Sequence, residues 1–527
     1  MKILIGSAWP YANGPLHIGH VAALLPADVI ARYFRAKGHN VYFVSGSDCH
    51  GTPVAIRAKE EHISPEEISD RYHEEFCECF EKLGFSYDRY GKTSSVEHQA
   101  FVRDFHEQLY AGDYIYEEDA PQAYCPTCER ILTDRFVVGV CPVCSAKARG
   151  DQCDACGTVV EPAQLEDASC ASCHGAVSFR QTKHLFLAIS RLKKELTTYL
   201  EAHPAWRKNA ISFTKRYIDE GLRDRAITRD LDWGIDVPKD GYEEKKIYIW
   251  AENVLGYLSM SKVVAESRGK DYKALWNKDS KHYYVHGKDN IPFHTIILPA
   301  LLLAHGGQWK LPDVIVSSEY LTLEGRRIST SQDWAIWVPD ILERYEPDSI
   351  RYFLTTNGPE KRDSDFSWRE FVNSHNSELL GAYGNFVHRT LAFIHRYFDA
   401  VGDLFVATGT LIETGKLKEA LDTIFEFVRL GNKFFDTEKP WETRQTSRNA
   451  CGNTLHTCVQ IVANLAVLLE PFLPFSSGKI KAWLQLKDHW VAQQIPAGFR
   501  IPEPEILFER LEKKVIGEEL ERLRKEG

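Results

Sequence analysis

The stretch AWPYANGPLHIGH, residues 8–20, is the segment around which the first part of the chain is organised. The apolar run Lys2–Ser7 precedes it and predicts a β-strand, and the amphipathic run Val21–Lys37 follows it and predicts a helix. The quoted stretch is therefore a turn from a strand into a helix. His17 and His20 are three residues apart, so they share one face of the first helical turn, beside its unpaired N–H groups. A helix N-terminus that carries two imidazoles is suited to hold a phosphate.

The chain then continues as a β-α-β unit. The apolar run Val41–Gly46 predicts the second strand, and Pro26 should kink the intervening helix or restart its first turn. This strand ends in GSDCHGTP, residues 46–53, and open α/β sheets bind ligands at the carboxyl ends of their parallel strands. Two roles are open for Asp48 in this segment: pairing with a substrate ammonium, or capping the next helix.

The composition indicates a globular protein of several domains. The chain has 527 residues, 44% of them hydrophobic, which is enough for three or four separate cores. We expect no membrane span and no signal peptide, because no apolar run reaches about 18 residues and prolines and glycines interrupt the N-terminus. The net charge of −10 argues against a protein that coats nucleic acid, but it allows local basic surfaces. A cytoplasmic location is the default expectation.

Eight of the 13 cysteines form four Cys-x2-Cys pairs within residues 125–173, which indicates metal binding in a reducing compartment. Each pair fits a zinc knuckle, in which two thiolates supply half of a tetrahedral site. Eight ligands predict two zinc ions, and four cysteines per ion leave no position for water, so the sites should be structural. The spacing allows both adjacent and nested pairing. The predicted ligands are Cys125, Cys128, Cys141, Cys144, Cys153, Cys156, Cys170 and Cys173.

Two later segments, residues 245–260 and 282–304, again read as a strand running into a helix. In the second, Gly287 can admit a nucleotide edge to the backbone, and Asp289 can accept from ribose hydroxyls. His294 begins the apolar helix, where a core position and a pocket role are both open.

A Gly-led loop at residues 319–333 follows. Two cations and three hydroxyls on a flexible loop can close over a triphosphate and stabilise the charge of leaving pyrophosphate. A charged surface loop is the alternative. The side chains concerned are Arg326, Arg327, Ser329, Thr330 and Ser331.

From about residue 339 the pattern is helical almost to the end and predicts a helix bundle. Asn385 and Arg389 are four residues apart on one helix face, and Trp441 follows Pro440 at a helix break. Such side chains can read and stack on splayed single-stranded bases, although a core tryptophan and a surface arginine are the alternative. The periodic segments are residues 374–398, 416–437, 446–473 and 505–526.

Taken together, these motifs resemble class I aminoacyl-tRNA synthetases, and YANGPLHIGH is most similar to the HIGH element of the methionyl members. The resemblance covers essentially the whole chain in the family's order. It implies an α/β fold: a Rossmann-like catalytic domain with a zinc-knuckle connective insertion, followed by an α-helical bundle that binds the anticodon. The predicted parts are 1–118 and 233–318 for the catalytic halves, 119–232 for the insertion, 319–372 for a stem-contact region with a KMSKS-type loop, and 373–527 for the anticodon domain with the C-terminal helix.

The resemblance also assigns roles to residues, and it implies nested pairing of the cysteines. The catalytic residues would be His17, His20, Arg327 and Thr330. ATP would be bound by Gly19, Gly287, Asp289, Arg326, Ser329 and Ser331. Methionine would be bound by Ala8, Trp9, Tyr11, Asp48, Trp250, Tyr257 and His294. The CAU anticodon would be read by Asn385, Arg389 and Trp441.

The implied activity is that of a methionine–tRNA ligase. It would use ATP and Mg²⁺ to form methionyl-adenylate, release pyrophosphate, and transfer methionine to the 3′ adenosine of tRNA(Met), initiator and elongator, as a monomer with two structural zinc ions. Two alternatives remain open. One is a cysteinyl-type enzyme with an open zinc site, and the other is a nucleic-acid-binding paralogue that has lost catalysis.

Several residues depart from the family pattern. Arg327 and Thr330 stand at its two lysine positions, so the second cation is missing, and either Arg326 with Arg327 replaces it or turnover is slower. In the methionine pocket Trp9 stands where the family often has leucine, and Leu298 where it often has tryptophan. Asn253 and Val254 replace a common Ala-Pro pair.

Overall fold

A computed structural model describes every residue of the chain except 133–135, 151–152, 154, 157, 159, 308, 392–400, 497–498, 500, 502–504 and 527. The first part alternates strands and helices, as predicted. Its elements are β1 (Lys2–Ser7), α1 (Ile18–Ala36), β2 (Asn40–Ser47), α2 (Thr52–Glu61), α3 (Pro65–Lys82), β3 (Arg89–Lys92) and α4 (Val96–Tyr110).

The insertion is built on one long antiparallel ladder, which carries the cysteine-rich part at its far end. β4 (Ile115–Cys125) pairs with β9 (Ser178–Leu187) over ten residue pairs, and β5 (Arg130–Leu132) extends the sheet. Three short strands form a separate sheet among the cysteines: β6 (Val137–Val140), β7 (Lys147–Arg149) and β8 (Glu166–Cys170). The chain returns through α5 (Lys193–Glu201), α6 (Lys208–Asp219), β10 (Arg225–Ala226) and β11 (Thr228–Arg229).

The second half of the catalytic part completes a five-stranded parallel sheet. Its elements are β12 (Lys246–Ile247), α7 (Ile249–Glu252), α8 (Gly256–Ser267), β13 (Ser280–Gly287), α9 (Leu298–Ala304) and β14 (Val314–Ser318). The strand order is β14-β13-β1-β2-β3. Because the order reverses between β1 and β13, a crevice opens at the carboxyl ends of these two strands, where doubly wound folds bind ligands.

The HIGH-type turn begins its helix earlier than predicted. α1 starts at Ile18, because His17 is the N-cap and His20 the third helical residue of a capping box. The helix also continues through Pro26, so the predicted restart there is wrong. Similarly, α2 has Gly51 as its N-cap, which rules out the capping role that the sequence had left open for Asp48.

The rest of the chain is mainly helical, with one small exception. β15 (Leu321–Leu323) pairs with β16 (Arg326–Arg327) and with β17 (Ser364–Phe366), so a three-stranded sheet interrupts the helices. The helices are α10 (Val338–Arg344), α11 (Pro347–Thr356), α12 (Trp368–Ser374), α13 (Asn385–Leu391), α14 (Val401–Glu413), α15 (Leu417–Glu438), α16 (Pro440–Thr446), α17 (Arg448–Leu469), α18 (Pro474–Leu484) and α19 (Lys514–Glu526). A π-helix, His375–Gly384, joins α12 to α13.

Two observations in this region bear on the expectations from the sequence, and the first corrects one of them. The last helix begins at Lys514, not near residue 505, because the preceding segment makes tertiary hydrogen bonds instead of helical ones. Asn376 Oδ1 accepts from the N–H of Leu511 (3.0 Å), and Asn376 Nδ2 donates to the carbonyl of Leu511 (2.8 Å). Secondly, α17 is long and apolar enough to cross a membrane, but 83% of its apolar window is buried, as expected for the central helix of a bundle.

Candidate active site

A cavity of about 390 Å³ opens at the switch point between β1 and β13. The turn before α1 forms one wall, and the hairpin β15–β16 forms another. Eight of the residues proposed from sequence line it: Ala8, Trp9, His17, Gly19, His20, Gly287, Asp289 and Arg327.

The two histidines are fixed by the backbone of the helix they begin. The N–H of Gly19 donates to His17 Nδ1 (3.2 Å), and the N–H of His17 donates to His20 Nδ1 (3.1 Å). Their rings stack with centroids 3.8 Å apart. Because each Nδ1 accepts a hydrogen bond, the neutral rings carry their protons on Nε2, which makes both Nε2–H groups donors.

Both imidazoles are neutral at physiological pH. Burial lowers the pKa of His20 to about 4. Burial, and secondarily the neighbouring His20, place the pKa of His17 well below its ordinary value. These rings can therefore donate hydrogen bonds to a phosphate, but they cannot add positive charge to it.

Gly19 allows the hairpin to approach the helix closely. A Cβ on this glycine would lie 3.0 Å from the His17 ring and 3.3 Å from Cδ1 of Ile328. Ile328, which the sequence did not single out, is therefore the side chain that packs the loop against the start of α1. The segment after the loop is tied to the same place, since the N–H of Val338 donates to the carbonyl of Leu16 (2.7 Å).

The far rim of the cavity contains a network around Lys288 and Tyr320. The Tyr320 hydroxyl donates to the Asp289 carboxylate, and Lys288 Nζ lies 3.8 Å from the Tyr320 ring centroid. Lys288 also bonds to Glu319 and Asp363, at 2.8 Å each. Sequence reasoning found only Asp289 here, because Tyr320, Glu319 and Asp363 lie on segments that meet Lys288 and Asp289 only in the fold.

The loop predicted to be flexible is a hairpin with its own structure. Glu324 and Gly325 have φ of +47° and +76°, as a two-residue type I′ turn requires. Arg327 lines the cavity, but Arg326 stacks on the Trp334 ring at 4.1 Å. Ser329 exchanges two backbone hydrogen bonds with Trp334. Thr330 begins a short 3-10 helix and does not line the cavity, and the Ser331 side chain lies outside the described residues.

The remaining predicted methionine ligands lie behind the cavity wall. His294 Nδ1–H donates to the carbonyl of Asn290 (2.8 Å), so its Nε2 accepts from the Tyr257 hydroxyl (2.8 Å). Both side chains are buried, and burial lowers the pKa of His294 to about 4. Tyr11 lies over Gly51, and Trp250 meets the Phe293 ring edge-on at 5.0 Å.

Trp9 occupies a space that two glycines provide. A Cβ on either Gly46 or Gly256 would lie 2.4 Å from the indole, so a larger residue at these positions would displace it. Trp9 and Leu298 belong to the same hydrophobic core. The indole fits because the two backbone positions that lie against it, Gly46 and Gly256, carry no side chain.

Asp48 is buried at the end of β2, on the other side of the turn. Its N–H donates to the carbonyl of Pro10 (2.8 Å) and its carbonyl accepts from Ala12 (2.9 Å), so it is held against the HIGH-type turn. Oδ2 accepts from Asn253 Nδ2 (2.7 Å). Burial, followed by the charge of Glu252, raises the pKa of the Asp48 carboxyl well above its ordinary value.

The eight knuckle cysteines form two groups, in the nested arrangement. Within each group all sulfur atoms lie within 4.8 Å of one another. Tetrahedral Zn–S bonds of about 2.3 Å place sulfurs about 3.8 Å apart, and the shortest S–S separations, 3.4–3.9 Å, fit that geometry. The outer group is Cys125, Cys128, Cys170 and Cys173, and the inner group is Cys141, Cys144, Cys153 and Cys156.

Comparisons with known proteins agree along the whole chain. Residues 3–391 match the family model "tRNA synthetases class I (M)", and residues 403–525 match "Anticodon binding domain of methionyl tRNA ligase". The chain is 52% identical to methionine–tRNA ligase 1 of Alkaliphilus oremlandii, with 99% of this chain and 100% of that protein covered. It is 51% identical to a methionine–tRNA ligase of Bacillus cereus, with 99% of each covered. The chain belongs to the methionyl-tRNA synthetase family.

The fold agrees with that membership. The structure of Mycobacterium tuberculosis methionyl-tRNA synthetase in complex with methionyl-adenylate superimposes with a TM-score of 0.79 at 23% identity, covering 97% of this chain and 100% of that one. The expected fold class, a class I synthetase α/β domain with a cysteine-rich insertion and a helical anticodon-binding domain, is therefore confirmed.

In this family member, two of the three predicted anticodon residues lie on the surface of the helical part. Asn385 is exposed at the start of α13, and Trp441 is 44% exposed at the start of α16. The Trp441 ring packs 5.9 Å from Phe435 on α15, and α15 contacts α13 through Phe386 at Gly431. The backbone of Arg389 belongs to α13, but its side chain lies outside the described residues.

Proposed function

We propose that this chain is a methionine–tRNA ligase that activates L-methionine with ATP and charges tRNA(Met), initiator and elongator. The observation that carries the proposal is the backbone pairing of residues 10–12 with Asp48. It joins a phosphate-binding helix N-terminus to a buried carboxyl that can hold an amino-acid ammonium. The full-length identity to curated methionine–tRNA ligases supports the same reaction.

In the first step, a carboxylate oxygen of methionine attacks the α-phosphorus of ATP, and the bond to the leaving pyrophosphate breaks. No protein nucleophile and no proton transfer are needed, so position and charge supply the catalysis. His17 and His20 donate from Nε2 to phosphate oxygens. Gly287 and Asp289 hold the adenosine. The triphosphate also calls for Mg²⁺, which neutralises part of its charge when bound.

The hairpin supplies the cation that the family pattern places on lysines. Arg327 already lines the cavity, so it is the residue that we assign to the pyrophosphate. Thr330 and Ser329 would add hydroxyl donors, and Arg326 would join them on leaving the Trp334 ring. In the second step a terminal adenosine hydroxyl of the tRNA attacks the methionyl carbonyl, and AMP leaves.

Methionine would lie between Asp48 and the buried pair Tyr257 and His294. Ala8, Trp9, Tyr11 and Trp250 would enclose its side chain. Asn385, Arg389 and Trp441 would read the CAU anticodon from the proposed anticodon domain, residues 373–527. The two cysteine groups would each hold a structural zinc ion, and the protein would act as a cytoplasmic monomer.

Pyrophosphate exchange tests the activation step. We expect ATP–pyrophosphate exchange with methionine, none with cysteine, leucine or no amino acid, and none after Mg²⁺ removal. Charging of a transcript with a CAU anticodon, compared with the same transcript carrying GAU, tests recognition. Absence of exchange with every amino acid, from protein that retains two zinc ions, would leave only a nucleic-acid-binding role.

A further inference from the structure

The buried carboxyl of Asp48 is only half satisfied. The residue is 3% exposed, and Asn253 Nδ2 donates to Oδ2, whereas Oδ1 has no partner within hydrogen-bond distance among the described residues. The backbone N–H groups of His50 and Gly51 also act on this carboxyl and favour its charged form. A buried, unpaired carboxylate oxygen is costly unless a cation or a donor meets it. Since Asp48 lies at the strand end beside the cavity, Oδ1 is the atom left for an incoming ammonium.

We infer that Asn253 is a positioning residue for methionine: by bonding to Oδ2 it fixes the Asp48 carboxylate so that Oδ1 faces the substrate ammonium. This inference rests on the role proposed above for Asp48. Asn253 acts through Asp48 and does not touch the reacting atoms.

The backbone around Asn253 is itself held in place. Asn253 follows α7, whose last residue, Glu252, is fully buried. Glu252 Oε1 lies 2.6 Å from His50 Nδ1. The segments 48–50 and 252–253 are therefore joined by two side-chain hydrogen bonds, Asp48 to Asn253 and His50 to Glu252. This double connection leaves the Asn253 amide little freedom to turn away.

The amide is suited to this place because it carries no charge. Glu252 is the carboxyl whose charge acts on Asp48, while His50 contacts Glu252, His98 Nε2 lies 3.8 Å from Glu252, and Cys49 is the adjacent thiol. A second carboxylate at position 253 would repel the first. The uncharged Asn253 amide donates to Oδ2 and adds no charge of its own, so Oδ1 stays available for the methionine ammonium.

Two variants of similar size separate donor from packing. Asn253→Leu removes the donor, and we expect the KM for methionine in pyrophosphate exchange to rise by about 10- to 100-fold, the usual worth of a hydrogen bond to a charged group. The KM for ATP should stay within about twofold. Asn253→Asp should be worse at pH 8 and partly recover at pH 6, because its protonated carboxyl can donate to Asp48 as the amide does.

Two further variants make the outcome decisive. Asn464→Leu removes a fully buried asparagine, bonded to Gln460 and Gln493 in the helical part, and should lower Tm without changing either KM. Asp48→Asn should impair methionine binding strongly. The inference about Asn253 is overturned if Asp48→Asn impairs methionine binding while Asn253→Leu leaves the KM for methionine unchanged. It is also overturned if Asn253→Leu raises the KM values for methionine and ATP equally. In both cases the proposed role of Asp48 still stands. If Asp48→Asn leaves the KM for methionine unchanged, the proposed role of Asp48 fails first.

Discussion

At the scale of single residues, the phosphate site depends on which nitrogen of each histidine ring accepts a backbone hydrogen bond. In the capping box of α1, backbone N–H groups occupy Nδ1 of both His17 and His20. The helix start therefore sets the tautomer of each ring as well as its position. Two neutral Nε2–H donors result, and the low pKa of each ring keeps them neutral.

We predict that His20→Ala lowers the kcat of methionine-dependent pyrophosphate exchange by about 10²- to 10³-fold, because one preorganised donor to the transition state is lost. His489→Ala, which removes an exposed histidine in the helical part, is the matched control and should have no effect. Since the His20 pKa is about 4, the wild-type rate should show no histidine titration between pH 6 and 8. An activity limb near pH 6.5 that disappears in His20→Ala would contradict the neutral-donor role.

At the scale of elements, the hairpin β15–β16 separates two adjacent arginines. Strand alternation sends neighbouring side chains to opposite faces, so Arg327 faces the cavity while Arg326 stacks on Trp334. The two cations, equivalent in the sequence, are therefore different in the fold.

We predict that Arg327→Ala raises the KM for ATP or lowers kcat by at least 10-fold in total, whereas Arg326→Ala has a clearly smaller effect. The reason is that only Arg327 lies where the charge of pyrophosphate develops. Steady-state pyrophosphate exchange with both variants, and with Arg327→Lys, measures the difference. Equal losses for the two alanine variants would show that Arg326, once it has left the Trp334 ring, contributes as much as Arg327, and would contradict the predicted difference.

The cysteine insertion makes a prediction at the same scale. The two groups share no ligand, so Cys141→Ser should reduce the zinc content from two ions to one and loosen β6–β8 while the outer group keeps its ion. Zinc analysis together with amide hydrogen exchange of residues 137–170 measures both effects. Cys77→Ser, outside the knuckles, is the control and should retain two ions. Loss of both ions from Cys141→Ser would show that the groups fold as one unit.

At the scale of the whole molecule, α1 connects the active site to the helical part through buried charges. Asp28 on α1 and Arg351 on α11 are both fully buried and bonded at 2.7 Å. Arg351 also donates to the carbonyls of Leu83, Pro471 and Phe472. The helix that His17 caps is thereby fixed to the last third of the chain.

We predict that Asp28→Asn destabilises the protein by about 3–5 kcal/mol, because it leaves the buried Arg351 charge uncompensated. The double variant with Arg351→Met should recover much of that loss. Glu413→Gln, which breaks the more exposed pair with Lys37, should cost less than about 1 kcal/mol. Urea unfolding monitored by tryptophan fluorescence measures all three; equal costs for Asp28→Asn and Glu413→Gln would show that water reaches Arg351.

The sequence alone determined the order of the parts, the strand–turn–helix at residues 8–20, the cysteine knuckles and the resemblance that ties them together. These features are local, because hydrophobic periodicity, capping residues and Cys-x2-Cys spacing act within a few residues. Three features appear only in the tertiary structure. The first is that Arg327, and not Arg326, lines the cavity. The others are the network of Lys288 and Tyr320 with Asp289, and the hydrogen bond from Asn253 to Asp48. Each depends on segments that meet only in the folded chain, and Asn253 and Asp48 are 205 positions apart in the sequence. Local sequence patterns carry no information about contacts between residues so far apart in the chain, so these contacts can be known only from the folded structure.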